Sequence, residues 1–509
     1  KNIEIEEVKK ITEAAKKQKQ EKKENQGDGD VIRFYPDGTT CTPTTDDIQI
    51  GEVRCQSSET KKEYKALLYL PKSYKNDHFY IVGSTGTGKS KLLQALITAD
   101  FKQGDGVGVI DPHGDLAREI QGNVLADVLY AFNDKNLKIA GEKSEFAAIQ
   151  VVVVDPTNPT HTIGFNPLET IAGVKSEELA EQMKLVFKKI WHDSWGYKME
   201  DLILHSFIAL SEAGLTLADL PQFLTDQDFR SKALAKVKNE TCLMRFYQFD
   251  SSSKSEQGSW IEPTLNKINA LLTDSRLRAI FSQKGSTFNL REIMDTGKML
   301  IVRLNKGKMG DNAYLLGSLF LAKIQMAAFS RTDIEQSKRR KFYLYIDEFQ
   351  NFATESFLPL LSEARKYGLF LRLAHQHLTQ LPDRLQHAIL SNCDTQMYFR
   401  VSHKDAQVLV KEGLNTPHWQ PTNIDKVFMK EGRAAISFRK DEQPFLLYWL
   451  DPQQRVALLQ HLEKQHFIFT NAKNQEPIAV RAVNVPSSWD RFTDDTKELI
   501  ESGNTINLV

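Results

Sequence analysis

The stretch Phe79–Ser90 reads FYIVGSTGTGKS, and it decides the fold. Its first part is an apolar run of strand length, and its second part, Gly83–Ser90, matches the pattern G-x-x-x-x-G-K-[S/T] in full. A helical stretch, KLLQALI, follows. Glycines let such a loop wrap its backbone N–H groups around phosphate oxygens, and a helix N-terminus adds positive potential. The stretch therefore predicts a strand, a phosphate-binding loop and a helix in direct succession.

The residues of this loop have different predicted roles. We expect the Lys89 ammonium to bridge the β- and γ-phosphates of ATP and to act in catalysis, and the Ser90 hydroxyl to ligate Mg²⁺. The alternative is a glycine-rich turn before a helix, without a ligand. The full set expected to bind the nucleotide is Gly83, Ser84, Thr85, Gly86, Thr87, Gly88, Lys89 and Ser90.

A second motif, YLYIDEFQN at 343–351, places two acids at the end of another apolar strand. Asp347 is expected to bind Mg²⁺. Glu348 is expected to polarise the attacking water, since a carboxylate can serve as the base in ATP hydrolysis. The alternative is an acidic cap on a strand end.

Two further catalytic candidates follow the acids in the chain. Gln376 comes directly after the apolar run LFLRLA, in the order needed to touch the γ-phosphate or its water; a surface amide is the alternative. Arg365, in SEARKYG, is the candidate arginine finger acting on the nucleotide of a neighbouring subunit. Arg372 and Arg400 are alternatives for the finger, and an ordinary helix-surface arginine is the remaining interpretation.

Two loops leave more than one interpretation open. VGVIDPHGDL places Asp111 and Asp115 after a strand, either near the nucleotide and the subunit boundary or in a polar turn. RLNKGKMGDN carries Arg303, Lys306 and Lys308, and such a basic loop is a candidate for contacts with a DNA phosphate backbone. Loops of this composition are also common without that role.

The continuous apolar runs indicate strands that are buried on both faces, which is typical of a parallel sheet. Between about 165 and 292 the runs stop and helical patterns replace them; one such helix has Ser176 as its N-cap candidate, and another ends at Gly214. The predicted class is α/β: a RecA-like P-loop NTPase core with a mainly parallel sheet, an all-helical insertion and small N- and C-terminal extensions. The predicted units are a charged helix and linker (1–30), a small β-rich segment (31–75), the first part of the core (76–164), the insertion (165–292), the second part of the core (293–418) and a C-terminal α/β extension (419–509).

Composition adds bounds but no function. Lys and Arg together number 66, as do Asp and Glu, so the net charge is zero and any DNA-binding surface has to be local. The four cysteines form no C-x-x-C pair, which favours a reducing, cytoplasmic setting without a zinc site or disulfide framework. No apolar run reaches the roughly 18 residues of a membrane span. The chain begins at Lys1 rather than Met, so we expect a fragment, and a membrane anchor upstream of it stays open.

Taken in order, GSTGTGKS, IDPHGDL, FNPLE (165–169), YIDEFQN, SEARKYG and AHQH resemble the HerA/FtsK branch of P-loop motor ATPases. Within it, the likeness is greatest to type IV secretion coupling proteins of the TraG/TraD kind, over roughly residues 75–415. The resemblance implies a ring, usually a hexamer, with ATP at subunit interfaces and DNA in the pore. It favours Arg365 as the trans-acting finger and Gln376 as the sensor, and it makes the insertion a candidate for recognising a relaxase or DNA. Two departures are the lack of an N-terminal anchor and a C-terminal extension without a counterpart.

Four functions are compatible with these features. The leading one is an ATP-driven DNA translocase for conjugative transfer or type IV secretion, in the cytoplasm or at the cytoplasmic face of the inner membrane. The others are a HerA-type ATPase that works with a nuclease or defence effector, a protein-secretion ATPase, and a nucleotide-gated binding module. Stimulation of ATP hydrolysis by DNA separates the first two from the last two.

Overall fold

The computed structural model describes residues 32–36, 40–57, 63–123, 151–158, 163–192, 195–353, 357–414, 429–430, 433–434, 437–438, 452–472 and 474–487. The charged segment predicted at 1–30 lies outside these ranges, so its helix and linker are not described.

The strands of the described residues are short, as is usual for a sheet inside an α/β protein. They are β1 (Ile32–Phe34), β2 (Ile48–Ser57), β3 (Glu63–Leu70), β4 (Phe79–Val82), β5 (Gly106–Asp111), β6 (Val151–Val154), β7 (Met299–Arg303), β8 (Phe342–Ile346), β9 (Leu369–His375), β10 (Thr395–Tyr398), β11 (Met429–Lys430), β12 (Arg433–Ala434), β13 (Ser437–Phe438), β14 (His466–Asn471) and β15 (Asn474–Ala482).

Thirteen of these strands form one sheet, in the order β1-β3-β2-β15-β14-β10-β4-β9-β8-β5-β7-β6, with β13 beside β2. From β10 to β6 all neighbours are parallel, so their carboxyl ends meet at one edge. Strand β4 lies inside this parallel part, between β10 and β9. The loop that follows β4 is therefore placed at the ligand edge of the sheet.

Both faces of the sheet are covered. In β4, Tyr80 and Val82 join one apolar cluster, while Phe79 and Ile81 join another on the opposite face. Successive residues of a strand point to opposite faces, so the continuous apolar run requires cover on both sides. The predicted α/β class with a mainly parallel sheet is confirmed.

The helices are distributed over the chain between and after the strands. Their bounds are Lys89–Lys102, 115–123 for the described part of the next one, Ser176–Ile190, Tyr197–Ala213, Leu220–Thr225, Gln227–Leu234, Glu240–Ser251, Lys254–Thr273, Ser275–Phe281, Leu290–Thr296, Lys306–Met309, Asn312–Phe329, Phe357–Glu363, Asp383–Asn392, His403–Glu412 and Pro452–His461.

The described residues between β6 and β7 form helices and turns, and no strand. Here two predicted helix caps have different outcomes. Gly214 ends its helix with φ 67°, a left-handed conformation that glycine adopts readily, as predicted. The prediction for Ser176 is wrong: the N-cap is Lys175, and the Ser176 hydroxyl donates to Glu212 Oε1 at 2.6 Å instead. Ser176 is thus the first residue inside the helix, and its hydroxyl links this helix to the neighbouring one.

The strands at the two ends of the chain extend the same sheet. β14 pairs antiparallel with β10, and β15 joins β14 to β2, which in turn pairs with β3. One described helix, continued through Asp333 from Asn312, is long and apolar enough to cross a membrane, but 89% of its apolar window is buried inside the fold.

Candidate active site

The phosphate loop Gly83–Ser90 leaves β4 at the ligand edge of the sheet and leads directly into helix Lys89–Lys102. Gly86 and Gly88 have φ values of 75° and 114°, which residues with a Cβ rarely adopt. The loop is anchored on both sides, because Gly83 N donates to His375 O at 3.2 Å and Ser84 N donates to Arg400 O at 2.8 Å. The backbone at the start of the loop is thus fixed by the strands on either side of β4.

Lys89 is buried at the base of this loop. Its ammonium donates to Gly83 O and to Ser84 O, the latter at 3.2 Å. Desolvation lowers the pKa of Lys89, while the nearby carboxylates of Asp347 and Glu348 act in the opposite direction. The cation therefore lies between the loop that binds phosphate and the two acids of the second motif.

Asp347 and Glu348 directly follow β8, which is separated from β4 in the sheet by β9 alone. Both residues are buried. Asp347 Oδ1 accepts a hydrogen bond from Glu348 N at 3.0 Å. Desolvation, reinforced by Asp111 and Glu348, raises the pKa of Asp347 to about 7. Burial thus disfavours the charge of this carboxylate, and a cation beside it would restore that charge. A serine hydroxyl and a carboxylate, such as those of Ser90 and Asp347, are oxygen ligands of the kind that Mg²⁺ takes together with nucleotide phosphates.

Gln376 joins the phosphate loop to Glu348. Thr85 Oγ1 donates to Gln376 Oε1 at 2.8 Å, and Gln376 Nε2 donates to Glu348 Oε1. Gln350, which the sequence motifs did not single out, donates from Nε2 to Glu348 Oε2 at 2.8 Å. Each oxygen of the Glu348 carboxylate therefore accepts from one amide. The position of Gln350, two residues after Glu348 in the same motif, was the available signal.

Asp111 is the last residue of β5. The sequence left it either near the nucleotide or in a polar turn, and the structure shows features of both. Its carboxylate accepts from His113 N and Ala117 N, both at 2.9 Å, and so orders the turn and the start of the helix at 115–123. Burial raises the pKa of Asp111. The same carboxylate raises the pKa of Asp347, so it also acts on the electrostatics of the site.

Comparison with known proteins fits this geometry. A family model described as "Helicase HerA, central domain" matches residues 48–322, which is more than half of the chain. The chain belongs to the HerA family. A second model, "TraM recognition site of TraD and TraG", matches residues 341–410. With a complete phosphate loop and the paired acids in place, this HerA-family chain is a P-loop ATPase of the HerA/FtsK motor group.

Solved structures share this fold. The bacterial conjugative coupling protein TrwB matches with a TM-score of 0.53 at 14% identity, over 84% of this chain and 89% of that one. TrwB in complex with ADP and Mg²⁺ matches with a TM-score of 0.52 at 15% identity, over 82% and 88%. VirB4 of Thermoanaerobacter pseudethanolicus matches with a TM-score of 0.53 at 14% identity, over 87% and 98%. No curated protein sequence matches the chain.

The three finger candidates differ in their surroundings. Arg365 lies in the turn Ala364–Tyr367, where its side chain is 37% exposed and Nη1 lies 2.7 Å from Asp394 Oδ2. Arg400 is exposed at the ligand edge. Arg372 is 1% exposed, so it cannot act on a neighbouring subunit in this conformation.

Arg372 instead packs inside the core of this HerA-family chain. Its guanidinium lies 3.6 Å from the ring centroid of Phe79 and 4.8 Å from that of Tyr343, and Nη2 donates to Lys75 O at 2.8 Å. The burial of Arg372 excludes this alternative as a finger and leaves Arg365 and Arg400.

The basic loop presents its three cations differently. Arg303 Nη1 lies 3.6 Å from Asp155 Oδ2, and the ammonium of Lys306 lies 4.5 Å from the ring centroid of Tyr314. Lys308 is exposed, and its carbonyl accepts from Arg276 Nη1 at 3.0 Å. Of the three, Lys308 is therefore the most available for a phosphate backbone.

The C-terminal residues also reach the phosphate loop. Gln465, just before β14, donates from its backbone N to Thr87 O at 2.7 Å and accepts from Ala482 N at 2.7 Å. Its φ is 65°, and its Cα would lie 3.2 Å from a Cβ at Gly88. No sequence pattern signals this contact, because it is made by main-chain atoms between residues far apart in the chain.

Proposed function

We propose that this chain is an ATP-driven DNA translocase that works as a ring, a hexamer by likeness to its family, with ATP hydrolysed at the interfaces between subunits. One observation carries the catalytic part: the hydrogen-bonded chain from Thr85 through Gln376 to Glu348 links the phosphate loop to the candidate base. The HerA family model, described as a helicase, supports DNA as the cargo.

The residues divide the work of hydrolysis. The phosphate loop binds the triphosphate, with Lys89 at the β- and γ-phosphates. Mg²⁺, held by Ser90 and Asp347, would neutralise charge on the phosphates. Glu348 accepts the proton of the attacking water, and Gln376 orients that water toward the γ-phosphate. Arg365 of the adjacent subunit stabilises the charge that develops in the transition state.

The setting proposed is conjugative transfer or type IV secretion, in the cytoplasm or at the cytoplasmic face of the inner membrane. The coupling protein TrwB shares this fold over most of its length, and the model for the TraM recognition site of TraD and TraG matches 341–410. A relaxase or another secretion protein is the partner expected in that setting.

A second candidate is a motor that moves protein. VirB4 matches the fold with the same TM-score as the coupling protein and over 98% of its own chain. ATP hydrolysis that responds to DNA distinguishes the two candidates.

The test is steady-state ATP turnover of the purified chain with no DNA, single-stranded DNA and double-stranded DNA. We expect DNA to stimulate turnover severalfold. Turnover indifferent to both forms of DNA would contradict the translocase and favour the protein motor.

A pair of substitutions locates the DNA-binding surface. Lys306→Ala with Lys308→Ala should weaken DNA binding and reduce its salt dependence, because a protein that neutralises fewer phosphates releases fewer counterions from the DNA. The matched control is Lys338→Ala with Lys366→Ala, two exposed lysines that precede β8 and β9 at the opposite edge of the sheet. Equal effects of the two pairs would remove the basic loop from the DNA-binding surface.

A further inference from the structure

A lysine of the helical insertion contacts the turn that directly follows Glu348. Lys189, near the end of helix Ser176–Ile190, donates from Nζ to Gln350 O at 3.2 Å and to Asn351 O at 2.9 Å. Desolvation lowers the pKa of Lys189 to about 7. The Lys189 ammonium is thus largely removed from water and is bonded to two carbonyls of one turn. These two hydrogen bonds hold the turn in place.

The turn in question is Phe349–Asn351, which directly follows Glu348. Glu348 has φ 48° and ψ 44°, a left-handed conformation that is strained for a residue with a Cβ and persists only where the surroundings hold it. The backbone on the C-terminal side of Glu348 is where Lys189 acts. Holding this turn therefore helps to fix the direction in which the Glu348 carboxylate points.

The same turn also carries a side chain to the carboxylate. Gln350 donates from Nε2 to Glu348 Oε2, while its own main-chain carbonyl accepts from Lys189. A continuous path thus runs from the insertion helix, through the main chain and side chain of Gln350, to the carboxylate. On the other oxygen, Gln376 connects Glu348 to the phosphate loop.

We propose that Lys189 is a positioning residue for ATP hydrolysis and that it couples the helical insertion to Glu348. The inference rests on the proposed catalytic role of Glu348. A load on the insertion that draws helix Ser176–Ile190 away from the turn removes two hydrogen bonds and releases Gln350. The rate of hydrolysis then depends on the position of the insertion, although the insertion supplies no group that touches the nucleotide.

Lys189→Met tests this coupling because methionine keeps much of the length of the side chain and removes the donor. We expect kcat to fall about tenfold with KM for ATP unchanged, the pattern of an interaction made only in the transition state. The matched control is Lys188→Met, on the same helix, where the lysine is 47% exposed and pairs with Glu200. It should stay within about twofold of wild type.

A double-variant cycle separates coupling from general damage. Gln350→Leu removes the amide that donates to Glu348 and should lower kcat to a similar extent. Because both residues act through one turn, Lys189→Met should add little in the Gln350→Leu background. Independent effects that multiply, an unchanged kcat in Lys189→Met, or a raised KM with normal kcat would each overturn the proposal. If Lys189→Met does not fold, Lys189→Leu, which also lacks a donor, takes its place in the same cycle.

The proposal fails separately from the catalytic assignment. An inactive Glu348→Gln variant beside a fully active Lys189→Met variant refutes the coupling alone. Glu348→Gln with wild-type turnover refutes the role of Glu348, and the coupling with it.

Discussion

The phosphate loop has one flank toward β9 and β8 and another toward β10 and β14, and the two are built differently. The first presents the side chains of Gln376 and Glu348 to the loop, and His375 O at its end accepts from Gly83 N. The second supports it with main-chain hydrogen bonds, from Ser84 N to Arg400 O and from Gln465 N to Thr87 O. We call these the catalytic flank and the supporting flank. The difference indicates that chemistry is carried by side-chain identity, and loop geometry by backbone pairing.

This comparison predicts which kinetic constant each flank controls. Substitutions on the catalytic flank should lower kcat, since their groups act on the transition state. Substitutions on the supporting flank should weaken nucleotide binding, because the geometry of the loop serves the ground state as much as the transition state.

The largest expected effect is that of Arg365→Ala. A trans-acting arginine is worth about 10³–10⁵ in rate, so we expect kcat of the assembled protein to fall by about a thousandfold. Mixing Arg365→Ala with Glu348→Gln provides the decisive control. In mixed rings some interfaces combine an intact Glu348 with an intact Arg365 from the neighbour, and turnover should partly recover. No recovery on mixing would show that Arg365 does not act across an interface.

Glu348→Gln should have the next largest effect. The amide keeps the size of the side chain but cannot accept a proton, so kcat should fall by at least about a hundredfold, within the range for a general base. ATP binding, measured by calorimetry, should change little. A variant that hydrolyses ATP at the wild-type rate would move the base elsewhere.

The supporting flank is tested by two substitutions of Gln465. Gln465→Pro removes the N–H that donates to Thr87 O and cannot adopt a positive φ, whereas Gln465→Gly keeps the N–H and accommodates φ 65°. One hydrogen bond is worth about 1 kcal/mol, so we expect Gln465→Pro to weaken ATP binding about fivefold or more. Gln465→Gly should bind like wild type. Equal affinities in both variants would mean that the C-terminal residues do not support the loop.

The catalytic flank was accessible from the sequence because each of its parts is a local pattern. The loop Gly83–Ser90 and the acids Asp347 and Glu348 follow buried strands, and parallel strands bring their carboxyl ends to one edge. Their spacing in the sequence could not decide which of three arginines is the arginine finger. Only the packing of Arg372 between Phe79 and Tyr343 removed one of them.

The remaining features depend on contacts between distant parts of the chain. The antiparallel pairing of β14 with β10 brings Gln465 to the phosphate loop, and no side-chain pattern records a main-chain hydrogen bond. Lys189 resembles any other lysine at the end of an amphipathic helix until the turn Phe349–Asn351 is placed beside it. The N-cap is a different case: Lys175 directly precedes Ser176, and a sequence pattern places a helix end only to within one or two residues.

The central claim is that hydrolysis at this site moves DNA, and displacement of streptavidin from biotinylated DNA tests it most directly. Wild-type protein should strip streptavidin from the end of single- or double-stranded DNA in the presence of ATP, and Glu348→Gln should not, although both bind ATP. Wild-type protein that hydrolyses ATP in the presence of DNA and leaves streptavidin in place on both substrates would contradict the account.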